Sequence, residues 1–206
     1  MGAPGRLRVR RLLVAAALGG AAVVGTTTPA TAHTVGGVDA TNYRVEVRSV
    51  TPAVPGVTLR PTGDGTRLEL VNSGRRTVVV EGYDDEPYLR VGPRGVFENV
   101  RSPAHFLNRV LKDPEPPPAS ADPDAPPEWV RVSTGSTARW HDHRAHWMGD
   151  RDPPVVTRAP DEEHLVQRFR IVLRTGDRTA TARGVLRWVP GPSPWPWIAG
   201  AAALAV

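Results

Sequence analysis

The chain has 206 residues and no cysteine, which excludes disulfides, Cys-ligated zinc, iron–sulfur clusters and thiol catalysis. Its formal charge of +5 is concentrated at one end, because four of the 26 basic residues and none of the 21 acids fall in residues 1–32. The remainder is nearly neutral, which speaks against nucleic acid as a partner, and Lys112 is the only Lys among the basic residues.

Arg6, Arg8, Arg10 and Arg11 open the chain, an apolar run follows over 12–24, and Ala30-Thr31-Ala32 ends a small-residue stretch. This is the plan of a secretory signal peptide over 1–32. Cleavage after Ala32 makes His33 the new N-terminus, where a free amine and an imidazole together form a chelate suited to copper.

Short strand signals come next. Tyr43–Val50 alternates apolar and polar residues, as a half-buried strand does. Val57–Leu59, Thr66–Val71 and Thr77–Glu81 repeat the signal, with Pro55-Gly56, Pro61–Gly65 and Asn72–Gly74 as turns. Strands and turns every 8–12 residues predict a β-sandwich. The stretch GYDDEPYLR (82–90) concentrates acids and reads as a solvated turn held by Arg90 or Arg94.

Residues 101–164 read as an irregular insertion. Pro103 after Ser102 predicts a short helix within 102–111. Seven prolines in 113–128 predict an extended surface segment. Strands resume at Trp129–Val132. The clearest hairpin pairs Leu165–Arg174 with Thr179–Val189, and places Phe169, Ile171 and Leu173 on one face.

The stretch WHDHRAHWM (140–148) is the candidate metal site. In an extended segment His141 and His143 point to one side, and His146 closes the set after a turn. Neutral imidazoles of this kind suit copper or zinc, with His33 as a further ligand. The competing reading is a packed corner in which Arg139 and Arg144 pair with Asp142, Asp150 or Asp152. His105 and His164 are isolated and read as surface or structural residues.

The chain ends in Trp195-Pro196-Trp197 followed by an apolar run. Residues 191–206 are expected to begin a C-terminal transmembrane helix cut short by the end of the chain, a span needing about 20 residues. No G-x-S-x-G, P-loop or H-E-x-x-H motif is present, so the enzyme alternative is a hydrolase without a recognised motif.

On GYDDEPYLRVGP (82–93), PPEWVRV (126–132) and WHDHRAHWM, the chain resembles a family of exported, membrane-anchored proteins of high-GC Gram-positive bacteria. The resemblance implies an extracytoplasmic domain held at the membrane, and implies no particular activity or ligand. The expectation is therefore an all-β, immunoglobulin-like sandwich over 33–190 with a Pro-rich insertion. It is tethered through its C-terminal helix and serves as a binding or structural protein of the cell envelope, with an envelope protein as a partner. The alternative is a copper or zinc handling domain.

Overall fold

The structure, a computed structural model, describes residues 42–63, 65–110, 115–193 and 195–204. The expected signal peptide over 1–32 and the candidate ligand His33 lie outside them.

Ten strands form two antiparallel sheets. They are β1 (Tyr43–Thr51), β2 (Val57–Pro61), β3 (Leu68–Asn72), β4 (Val78–Glu81), β5 (Pro87–Gly92), β6 (Gly95–Asn99), β7 (Trp129–Ser133), β8 (Thr137–Trp140), β9 (His164–Thr175) and β10 (Arg178–Trp188). The larger sheet has the order β1-β10-β9-β4-β5-β6-β7 and the smaller β2-β3-β8. The expected all-β architecture is the one the chain adopts.

Alternation decides what lies inside. Phe169, Ile171 and Leu173 of β9 join Val78, Val80 and Val91 of the larger sheet in the core. Leu59, Leu68, Leu70 and Ala138 of the smaller sheet complete the same cluster. Each fully buried aliphatic side chain contributes about 1.5–3 kcal/mol. On the opposite side of the smaller sheet, Arg60, Glu69 and Arg139 form one cross-strand row. The Glu69 carboxylate accepts from Arg60 at 2.6 Å and from Arg139 at 2.5 Å. These hydrogen bonds, Arg60 first, hold Glu69 below the usual carboxylate range.

The β9–β10 hairpin turns on Gly176-Asp177, two residues tighter than the four-residue loop predicted. Its far end meets β1, where Tyr43 and Trp188 are cross-strand partners with rings edge-on at 5.2 Å. Tyr43 donates to Asp152 at 2.8 Å, and the Trp188 indole donates to the Pro160 carbonyl at 2.8 Å.

Residues 101–164 are more ordered than an irregular insertion. They supply β7 to one sheet and β8 to the other, together with helices α1 (Pro103–Leu107) and α2 (Pro154–Arg158). Helix α1 starts at Pro103 as expected, and Ser102 caps it, accepting from the Ala104 amide at 3.1 Å. The Pro-rich segment has no strand or helix over 115–128. It is pinned by bonds from Asp122 N to Arg101 O and from Val100 N to Glu128 O.

Beyond β10 lies helix α3 (Trp195–Leu204), whose ten residues are all exposed. Among the described residues no helix is long and apolar enough to cross a membrane.

Candidate functional site

The sequence brings the three histidines of 140–148 together. The His141 ring lies 4.0 Å from that of His146 and 5.3 Å from that of His143, centroid to centroid. Local chemistry explains this. Strand β8 ends at Trp140, and Asp142 caps a 3₁₀ turn over His143–Ala145 by accepting from the Arg144 amide at 3.0 Å. The turn folds His146 back beneath His141.

One nitrogen of His141, one of His143 and both of His146 face backbone carbonyls. His141 Nδ1 lies 3.1 Å from the Thr66 carbonyl, and His143 Nε2 lies 2.9 Å from the Val110 carbonyl. His146 meets carbonyls on both sides, Asp142 O at 2.9 Å and Gly65 O at 3.2 Å. With Nδ1 donating, His141 Nε2 carries a lone pair that is buried and has no hydrogen-bond partner among the described residues. Burial, reinforced by the neighbouring His146, pushes His141 down to about 4. Burial also lowers His146, against the pull of its two carbonyls.

His146 alone has a carbonyl against each ring nitrogen, so it is the one ring of the three that would have to break a backbone contact to bind a metal. Among the described residues no group of three or more His, Cys, Asp or Glu is arranged to hold one. The three expected ligands His141, His143 and His146 do cluster, each with a ring nitrogen against a carbonyl of Gly65 or Thr66, of Val110 after α1, or of their own turn.

What the stretch builds is a buried joint. Asp142 is 0 % exposed and accepts from the Trp140 indole at 2.8 Å and from Arg144 Nε and Nη2, each at 2.9 Å. Burial pushes its carboxyl up, but Arg144 and Trp140 outweigh that and hold it below the usual carboxylate range. Arg144 then reaches Gly82 O at 2.8 Å and Glu81 O at 3.1 Å, and its guanidinium lies 4.9 Å from the Tyr83 ring centroid. Gln167 of β9 donates to the carbonyls of Arg144 and His146. One segment thus ties β8 of the smaller sheet to β9 and the β4–β5 turn of the larger.

The acidic stretch 82–90 differs from the solvated turn expected. Asp84 and Asp85 are exposed, but Glu86 is buried, accepting from the Asp84 amide and from Ser102 Oγ at the start of α1. The cation beside it is Arg144, not Arg90 or Arg94. His105 is buried too, 3.1 Å from Glu98, and His164 Nε2 lies 2.6 Å from the Ala159 carbonyl.

The most distinctive surface is the outward face of the larger sheet. Register places Arg131, Phe97, Arg90, Val79, Arg174 and Thr179 in one line across six strands. A parallel line runs through Arg170, Arg183 and Ser49, and Arg168 lies two residues further along β9. Arg90 stacks on Trp129 at 4.7 Å and on Phe97 at 5.9 Å, and Arg131 also lies over Phe97 at 5.9 Å. Arg174 pairs with Glu81 at 2.9 Å. No carboxylate pairs with Arg90, Arg131, Arg168, Arg170 or Arg183 among the described residues. The near-neutral charge of the chain beyond residue 32 concealed this face, although Arg168, Arg170 and Arg174 already stand between apolar residues in the sequence.

No protein-family model, curated protein or solved structure matches this chain.

Proposed function

We propose that the chain is an exported, immunoglobulin-like β-sandwich of the cell envelope that works by binding rather than catalysis. It is tethered at the membrane through its C-terminal apolar segment, and it docks on anionic lipid surfaces through the arginine face of its larger sheet. One observation carries the reading: five arginines without carboxylate partners among the described residues share a sheet face with Trp129 and Phe97, although the chain beyond residue 32 is nearly balanced in charge. Each Arg near an anionic bilayer contributes about 1 kcal/mol, over a range set by the Debye length. The exposed helix α3 supports the same reading. Trp195, Trp197, Ile198 and Leu204 present apolar surface with no protein covering it, six residues after β10.

Co-sedimentation with vesicles tests it. Vesicles containing phosphatidylglycerol should retain the chain, with release as salt rises. Purely zwitterionic vesicles should hold it only through the apolar tail. Replacing Arg168, Arg170 and Arg183 together by Gln should weaken binding to anionic vesicles at least tenfold without changing the fold. Binding indifferent to lipid charge, or to this triple substitution, would overturn the docking reading.

A further inference from the structure

A cleft of about 440 Å³ opens where the 52–57 loop, the 74–76 loop and the turn end of the β9–β10 hairpin meet. Its volume falls within the range of small-molecule sites, about 300–1,000 Å³. Its apolar wall is made by Pro52, Val54, Val57, Val78 and Ala180. Its charged lining is Arg75, Arg76 and Arg178, with no acidic residue, and none of the three forms an ion pair among the described residues. Thr175 also lines the cleft. It is 8 % exposed, and its hydroxyl is buried without a hydrogen-bond partner among the described residues. A buried hydroxyl left unpaired is unfavourable, and a ligand in the cleft could offer it a partner.

The walls are fixed in advance. Asn72, buried, donates to the carbonyls of Arg76 and Val91, each at 2.8 Å, and accepts from the Gly74 amide at 3.0 Å. It thereby holds the arginine loop against β5. The two loops are joined through Gly56, whose carbonyl accepts from the Ser73 amide at 2.8 Å and from its hydroxyl at 3.0 Å. Ligand binding therefore need not order these walls, which lowers its entropic cost.

We propose that this cleft binds a small amphiphilic anion, with a phosphate or carboxylate headgroup at the three arginines and a short apolar body against the proline–valine wall. Planar guanidinium groups match such headgroups with paired hydrogen bonds. The apolar wall explains why a bare anion is not the expected occupant. The site uses none of the arginines of the sheet face, so the two proposals fail separately.

Isothermal titration of the full-length chain with octyl phosphate, kept monomeric, tests the site against octyl glucoside and inorganic phosphate. Octyl phosphate should bind at least tenfold more tightly than either. The double substitution Arg75→Gln/Arg178→Gln should weaken it at least tenfold, with melting temperature and circular dichroism unchanged. Arg168→Gln, on the sheet face, should leave it unchanged. Equal affinity for octyl glucoside, or an unaffected double variant, overturns the proposal. Competition by phosphatidylglycerol vesicles would identify a lipid headgroup as the source of the ligand. Vesicles that leave octyl phosphate in place would identify a soluble one, and either outcome upholds the site.

Discussion

Arg144 holds Asp142 through two parallel contacts, Nε to Oδ1 and Nη2 to Oδ2, both of 2.9 Å. The carboxylate has no exposed surface, and the cation continues to the carbonyls of Glu81 and Gly82. A pair of this kind is costly to break from one side, because the surviving charge is left buried.

Asp142→Asn should therefore destabilise the domain by about 3–5 kcal/mol, although it changes no volume. Urea denaturation followed by far-UV circular dichroism would measure this. A loss below about 1 kcal/mol, the size of an ordinary exposed pair, would show that the joint is not a structural requirement.

Acid should weaken the domain before its carboxylates titrate. His141 has an ordinary value of 6.5 and is pushed down to about 4 in the fold. Between these values the unfolded chain takes up a proton that the folded chain refuses. Stability is thus intact above pH 6.5 and falls as pH drops toward 4. The contribution of Asp142, whose folded value is also lowered, is lost at still lower pH. His141→Leu should flatten the first part of this decline by about 1–3 kcal/mol. Parallel melting-temperature profiles from pH 7 to 4.5 in the two proteins would contradict the assignment.

Metal should leave the domain unmoved. With a carbonyl against each ring nitrogen of His146, zinc or copper can take that ring as a ligand only by breaking its approach to Gly65 or to its own turn. Stoichiometric zinc, or EDTA, should shift the melting temperature of the untagged chain by less than a degree or so. A stabilisation of several degrees, abolished in His141→Ala/His143→Ala, would restore the metal reading by mass action.

Gly56 should tolerate no side chain. Its φ is +77°, and a Cβ there would lie 2.7 Å from the Gly74 amide nitrogen. Gly56→Ala should cost about 1–3 kcal/mol in thermal or urea unfolding, from left-handed strain and from separation of the two loops. An alanine variant as stable as the parent would mean that the loops are free to part.

Much of the fold was legible because one face of most strands is covered and the other is not. Phe169, Ile171 and Leu173 alternate with Arg168, Arg170 and Arg174, and β1 to β3 carry similar periods. Strand β5 escaped because Tyr88, Leu89 and Val91 are all buried, which erases the alternation, and because the acids before it suggested a turn. Of the candidate site, the meeting of the three histidines was readable from their spacing. Their capture by the carbonyls of Gly65, Thr66 and Val110 was not, since those residues lie 33–81 positions away. The cleft was invisible for the same reason: its loops at 52–57, 74–76 and 175–180 converge only in the fold.

The pairing of Tyr43 with Trp188 has a mechanical consequence. It places the entry and the exit of the strand framework side by side at one corner of the larger sheet. Tension applied through both ends would load the β1–β10 ladder one rung at a time, opening it like a zip rather than shearing it. Tension through the exit alone, as from an anchored tail, would reach the fold first at the Trp188 indole and its bond to Pro160.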